Sequence, residues 1–480
     1  MLVGPLLVAL VLIGCQAATT PATTASPPAA SALPTQVPTV APTPSGTPVP
    51  THWEQAGTMS VARDEPHAIA LADGSVLVVG NDQTAEIRGA SGTWSRIASL
   101  DKPRTNFSLV ALRDGRAMVV GGMNDIDQSY LSALIFDPAA PGKGWIHASG
   151  LLHTARTDPS AVVLADGRVL VAGGYFRVAP EYGSLPSGGI VLASLRGPVA
   201  DVAPPNVGAA MATAELFDPA TQEWTETGPM AYARYAAAAT LLADGRVLVV
   251  GSGCPGIKGG GVTVDGNACA TAEIYDSTTG RFTLAGSLPD LDLTPYDFPH
   301  PWGDSLPAGT AAFGGALVPL PDGGAALIGR DSSWGFDGTA IRSFRFDASH
   351  DSWRQLGDAY LSIPIRSEGS SPFDTPEWVF VTENVIPRIQ PLVAVLPDGR
   401  VLVAGGEGTP STTSAQLYDP NDDSWANLPP MPEVRAAGAA VTLPDGSILV
   451  VGGHRLEDSQ SGFERFSLNS AIRLVIGSSE

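Results

Sequence analysis

Leu164-Ala165-Asp166-Gly167-Arg168-Val169-Leu170-Val171-Ala172-Gly173-Gly174 is the stretch that decides the fold. An Asp-Gly pair between two apolar runs marks a tight hairpin turn. The run after the turn, Val169 to Ala172, is apolar at every position. A strand of that kind must be covered on both faces. The same order recurs around Asp73-Gly74, Asp114-Gly115, Asp244-Gly245, Asp322-Gly323, Asp398-Gly399 and Asp445-Gly446. Glycine pairs close the second strand again at Gly121-Gly122, Gly405-Gly406 and Gly452-Gly453.

Working outward, a third strand starts at Ala-Glu and stops at Asp-Pro in Ala214-Glu215-Leu216-Phe217-Asp218-Pro219, with related copies from Ala85, Ala133, Ala272 and Ala415. A fourth opens on an aromatic residue: Trp94, Trp145, Trp224, Phe282, Trp353 or Trp425. Four strands per unit and seven units make an all-β chain whose seven sheets stack radially. The seventh unit has no Trp after Phe466, and the spare one is Trp53, with Met59 following six residues on. The N-terminal strand is therefore expected to complete the last blade and close the ring. The tail from Ser470 to Gly477 does not match the repeat and is read as an added edge strand.

The chain has 480 residues and a net charge of −21, with Lys only at Lys102, Lys143 and Lys258. That balance excludes a nucleic-acid binder, which needs a basic footprint. It also disfavours adhesion to anionic lipid. Residues 1–15 read as a secretory signal: Leu2 to Gly14 is apolar but too short to span a bilayer, which takes about 20 helical residues. Its end, Leu12-Ile13-Gly14-Cys15, resembles the lipobox of bacterial lipoproteins, which implies lipidation of Cys15. Residues 16–51 are rich in Thr, Pro, Ala and Ser and carry no charge, so they read as an extended tether. Residues 52–480 are the propeller. The expected location is extracytoplasmic, exported and lipid-anchored at the bacterial cell envelope, with the membrane met only through the lipid.

With strands lettered a to d from the axis outward, the a–b and c–d turns share one face and the b–c and d–a connections the other. The four long connections run from Tyr175 to about Ala212, Ser252 to Thr271, Pro289 to about Ala311 and Gly357 to about Pro387. All fall on the second face, where long loops on a rigid scaffold carry binding. An Arg lies ten residues before the turn Asp in six of seven copies: Arg63, Arg104, Arg156, Arg234, Arg388 and Arg435. Blade five has Ala312 there. Two readings stay open. The arginines form a cationic axial mouth for a carboxylate or sulfate, or they pair with repeat acids such as Glu86, Glu215 and Glu273, or cap carbonyls. The loop residues Tyr175, Arg177, Tyr182, His300, Trp302, Asp304, Trp334, Arg366, Glu368, Trp378, Glu383 and His454 are the further candidates. Exposed aromatics between polar groups suit sugar faces and protein surfaces alike. Cys254 and Cys269 bracket one insertion and, in an exported chain, are expected to form a disulfide.

The pattern resembles the kelch repeat, and its Asp-Gly/Val-Leu-Val/Gly-Gly form is similar to the central domain of the galactose oxidase family. The resemblance covers residues 53–480 and implies a seven-bladed kelch-type propeller with four-stranded antiparallel blades. Kelch propellers serve as scaffolds, enzymes and adaptors, so the expected role is a binding scaffold for a carbohydrate or an envelope or extracellular protein. The alternative implied by the resemblance is a sugar-active enzyme. One form is a copper oxidase, with His300, His454 and Tyr175 on the correct face. The other is a mutarotase of acidic sugars working through the arginines. No cofactor is expected; copper, or calcium at Asp125/Asp127 or Asp422/Asp423, is the alternative. A monomer is expected.

Overall fold

Every blade begins at a turn built the same way. In blade three Leu164 N donates to Arg168 O at 2.8 Å and Gly167 N to Leu164 O at 3.0 Å. Gly167 stands at φ +92°, and Asp166 Oδ1 accepts the Arg168 N–H at 3.0 Å. This is a three-residue loop, a type I turn ending in a left-handed position that glycine fills without strain. The computed structural model describes residues 51–124, 128–176, 209–251, 271–288, 316–328, 343–356, 364–365, 377–378, 390–406, 413–459 and 462–477.

Seven antiparallel sheets result. Blade one is His67–Ala70, Val76–Val79, Ala85–Arg88 and Trp94–Arg96. Blade two is Thr105–Ala111, Ala117–Met123, Ala133–Phe136 and Trp145–His147. Blade three is Ser160–Val163, Val169–Ala172, Ala214–Asp218 and Glu223–Thr227, and blade four is Ala238–Leu241, Val247–Val250, Thr271–Asp276 and Arg281–Ser287. Blade five is Ala316–Pro319, Ala325–Ile328, Ser343–Asp347 and Ser352–Gln355, and blade six is Leu392–Val395, Val401–Ala404, Ala415–Asp419 and Ser424–Leu428. The all-β, seven-bladed propeller with four-stranded antiparallel blades is the fold the repeat implies.

Strand b is buried at all four positions in blade three, as in Val247–Val250 and Ile448–Val451, because a neighbouring blade lies on each side. The core is accordingly a set of interfaces rather than one centre. Leu170 and Leu216 of blade three pack on Val247 and Val249 of blade four. Val441, Leu449 and Val451 of blade seven pack on Val76 and Val78 of blade one, with Met59 between them. Each fully buried Val or Leu is worth about 1.5–3 kcal/mol. The strand d aromatic lies against an aromatic of strand c: Phe217–Trp224 at 4.8 Å, Phe346–Trp353 at 5.0 Å, Tyr418–Trp425 at 5.1 Å between centroids. Several of these indoles also tie back to the preceding blade, as Trp145 Nε1 does to Ala98 O at 3.0 Å.

Ring closure follows the same rules. Blade seven takes strands a and b from Ala439–Thr442 and Ile448–Val451. His52 to Gln55 pairs with Val475 to Ile472 as its outermost strand. Trp53 Nε1 then donates to Pro429 O of blade six at 2.8 Å, and Trp94 Nε1 of blade one to Ala56 O at 3.1 Å. One expectation needs correction. The tail is not an edge strand: Ala471 to Leu474 lies between Ile448–Val451 and the N-terminal strand, as strand c of blade seven. The segment around Phe466 instead forms a hairpin with His454–Ser459. The repeat match fails there because the third strand is displaced towards the C-terminus by that hairpin.

Candidate functional site

The arginines come first, because they organise the face that carries the site. Arg156 is fully buried. Its Nη1 donates to Gly173 O at 2.8 Å and Thr213 O at 2.9 Å, and its Nη2 to Thr213 Oγ1 at 3.0 Å and Glu215 Oε1 at 2.9 Å. Arg234 repeats this on Gly251, Thr271 and Glu273. Arg104 holds Gly121 O and Ser132 and lies 4.2 Å from the Tyr130 ring. Arg63 pairs with Glu86 at 2.8 Å, and Arg435 holds Gly452 O, Ser470 and Glu433. Each guanidinium therefore reaches outward, from the start of strand a to the b–c junction of its own blade. The backbone carbonyls of Arg63, Arg156, Arg234 and Arg435 meanwhile accept from a glycine of the blade before, as in Gly174 N to Arg234 O at 2.8 Å and Gly453 N to Arg63 O at 2.8 Å. Of the two open readings, pairing with repeat acids and carbonyls is the geometry these five arginines adopt. Arg388 lies outside the described residues.

The chain reaches the axis two residues later. Glu65, Asn106, Asp158, Ala236, Gln390 and Ala437 each follow their blade's arginine by two positions, and all have φ between +48° and +56°. For an L-residue this left-handed conformation costs roughly 1–2 kcal/mol, and such strain clusters where function is placed. Hydrogen bonds link the row from blade to blade. Asp158 N donates to Asn106 O at 2.8 Å, Ala236 N to Asp158 O at 2.9 Å and Ala437 N to Gln390 O at 3.0 Å.

Glu65, Asn106, Asp158, Gln390 and Ala437 of this row rim a cavity of about 420 Å³, lined also by Pro66, His67, Asn81, Phe107, Ala316, Ile328, Pro391 and Val393. That is within the roughly 300–1,000 Å³ of small-ligand pockets. Asn106 Nδ2 donates to Asp158 Oδ2 at 2.8 Å, and Gln390 Nε2 to Glu65 Oε1 at 2.8 Å. His67 stacks on Phe107 with centroids 4.1 Å apart. Burial pulls the His67 imidazole down to about 4, so the ring is neutral at pH 7. Burial pushes the Asp158 carboxyl up to about 6, with the Glu65 charge adding to it and the Asn106 bond opposing. Tyr235 is raised by burial and by the Asp158 charge. The mouth is thus lined by carboxylates and amides, with a π-face, and not by the positive charge that one of the two readings of the arginine row placed there.

Asp158→Asn is expected to stabilise the protein at pH 7.5 and to leave it unchanged at pH 4. The carboxyl titrates at about 6 when folded against an ordinary 3.8. Its contribution is therefore complete below pH 3.8 and lost as pH rises through 6. The gap corresponds to up to roughly 3 kcal/mol. Urea melts of both proteins at the two pH values check this; equal shifts at both would contradict it.

The other candidates divide. Tyr175 sits edge-on to Tyr235 at 5.4 Å, with its hydroxyl 3.5 Å from Met123 Sδ. His454 is fully buried, its Nδ1 2.6 Å from Asp64 Oδ1. Burial raises the Asp64 carboxyl, but its bonds to His454 and Arg465 outweigh that and hold it below the usual range. Trp378 lies in the short strand Glu377–Trp378. His300, Trp302, Cys15, Arg177, Tyr182, Asp304, Trp334, Arg366, Glu368 and Glu383 lie outside the described residues. The disulfide is corrected: no disulfide bond occurs among the described residues, Cys254 and Cys269 lie outside them, and the pairing is withdrawn. Asp125 and Asp127 also lie outside them, while Asp422 Oδ1 accepts the Ser424 N–H of its own turn at 3.1 Å. On the opposite face a second cavity of about 510 Å³ lies between blades five and six. Its charges neutralise one another, with Arg354 2.7 Å from Asp423 and Arg345 held by Asp322.

No family model matches the sequence, and no curated protein does. Among solved structures, a fungal alcohol oxidase of the AA5 family, in complex with copper, is 17% identical with a TM-score of 0.53, over 90% of this chain and 76% of that one. The structure of YjhT is 13% identical with a TM-score of 0.43, over 86% of this chain and 95% of that one. At such identity the likeness to the oxidase concerns the fold. Among the described residues no three His, Cys, Asp or Glu side chains come together as a metal site. Tyr175 and His454 meet different described neighbours, and His300 lies outside the described residues. The chain is a seven-bladed β-propeller, similar in fold to that AA5-family alcohol oxidase.

Proposed function

We propose that the axial mouth recognises a carbohydrate, and that the propeller acts as a binding scaffold. The observation that carries this is the lining. Two carboxylates, three amides and the stacked His67–Phe107 pair surround one cavity of small-ligand size. Sugars present hydroxyl donors and acceptors around an apolar ring face, and such a lining meets both. The fold selects no activity by itself. Export, lipidation of Cys15 and a tether at residues 16–51 belong to the proposal, supported by the lipobox-like Leu12-Ile13-Gly14-Cys15 and the uncharged stretch after it. A protein ligand on the loop rim is the competing occupant.

One observation favours chemistry as a second reading. A carboxyl titrating at about 6, as Asp158 does, suits general acid–base work near neutral pH. Binding has the stronger support because one oxygen of each carboxylate is already engaged by an amide. A glycan array probed with the full chain and with Asp158→Asn tests the proposal. The expected result is a set of sugar signals that the substitution abolishes. Signals that survive it unchanged would place the site elsewhere.

A further inference from the structure

Resting on the reading of the axial mouth as a sugar site, we infer that its ligand carries a free protonated amine. The class is an amino sugar whose ammonium group sits among Glu65, Asp158 and Asn81. The cavity holds acceptors that its own donors leave unmet. Asn81 Oδ1 is buried and has no hydrogen-bond partner, and Asn81 lines the cavity. Gln390 Nε2 engages Glu65 Oε1, and Asn106 Nδ2 engages Asp158 Oδ2. Glu65 Oε2 and Asp158 Oδ1 have no hydrogen-bond partner among the described residues.

Nothing cationic among the described lining residues answers these groups. No Lys or Arg lines the cavity. His67 is neutral at pH 7, since burial pulls its ring down to about 4. The guanidinium groups of the five described repeat arginines face outward onto the b–c junctions. A buried acceptor without a partner, as Asn81 Oδ1 is, is unfavourable, and two carboxylates close enough for the Glu65 charge to act on Asp158 favour a cation beside them. An ammonium brings three donors and one positive charge on a single centre. A hydroxyl brings one donor and no charge. A sugar acid brings a further negative charge beside Glu65 and Asp158, which opposes binding. The acidic-sugar alternative therefore lacks support in this mouth.

The test is calorimetric titration of the full chain at pH 7 with glucosamine disaccharide, its fully N-acetylated counterpart and a uronic acid. The chain carries a net charge of −21, so a cationic sugar also gathers on its surface. Glu65→Gln and Asp158→Asn separate that effect from binding in the mouth. The free-amine sugar is expected to bind at least tenfold more tightly than the acetylated one, with the uronic acid weakest. Either substitution is expected to erase that preference. Equal or tighter binding of the acetylated sugar, or a preference that persists in both variants, overturns the amine while leaving the sugar reading standing. If none of the three binds and the glycan array is silent, both fall together.

Discussion

Arg156→Ala is expected to lower the unfolding free energy by about 3–5 kcal/mol, the range for breaking a buried ion pair on one side. Arg156 and Glu215 are 0% and 1% exposed at their side chains. Removing the guanidinium leaves Glu215 charged and buried, and it deprives Gly173 O and Thr213 O of a shared donor. Burial opposes the charge on Arg156, so the pairing with Glu215 is what keeps the guanidinium tolerable there. Arg104→Ala is expected to be milder. Arg104 has no strand c carboxylate, only Asp101 at 4.0 Å, and its Nε is already without a partner. Denaturant melts of the two variants give the order. Equal losses would mean that the carbonyl contacts, not the acid, hold the arginine row.

Gly453→Ala is expected to be comparably damaging, by roughly 3 kcal/mol or more, because two penalties combine. The residue stands at φ +86°, and an added Cβ would lie 2.3 Å from Ala436 O and 2.7 Å from Gly438 N. Those neighbours are backbone, so no side-chain rotation relieves the clash. Gly453 N also donates to Arg63 O at 2.8 Å, which is one of the bonds joining blade seven to blade one. The damage should therefore appear at the ring seam. Hydrogen exchange in His52–Arg63 and Gly462–Val475 is expected to accelerate before that of blades three and four. Uniform acceleration would contradict a seam defect.

The fold was legible because it is written seven times. Each blade needs an Asp-Gly turn, a doubly covered strand and an aromatic on the outermost strand, and those demands leave constant columns. The same constancy does not mark the site. Arg63, Arg104, Arg156, Arg234 and Arg435 recur because each blade has the same b–c carbonyls to satisfy, a structural need. Two positions on, the column reads Glu65, Asn106, Asp158, Ala236, Gln390 and Ala437. Its backbone role is equally fixed, as the shared left-handed φ shows, while its side chains vary from blade to blade. In a repeat protein, a position whose geometry is fixed and whose chemistry varies is where a ligand can be read. That signal was present in the sequence, but spacing alone does not tell which column faces the axis. The displaced strand of blade seven was illegible for a different reason. Ser470 to Val475 lacks the Ala-Glu start of its counterparts, and the hairpin of His454–Ser459 with the segment around Phe466 stands between it and strand b in sequence.

In the proposed function the axial row, and Asp158 in particular, forms the ligand site. Equilibrium titration of the strongest array glycan against the full chain and Asp158→Asn tests it most directly. Loss of a hydrogen bond to a charged group is worth about 1.5–3 kcal/mol, so affinity is expected to fall roughly ten- to a hundredfold. It should do so in a variant that melts no earlier than the parent at pH 7.5, which separates the site from the scaffold. Unchanged affinity in that variant would contradict the account and move the site from the axis to the rim.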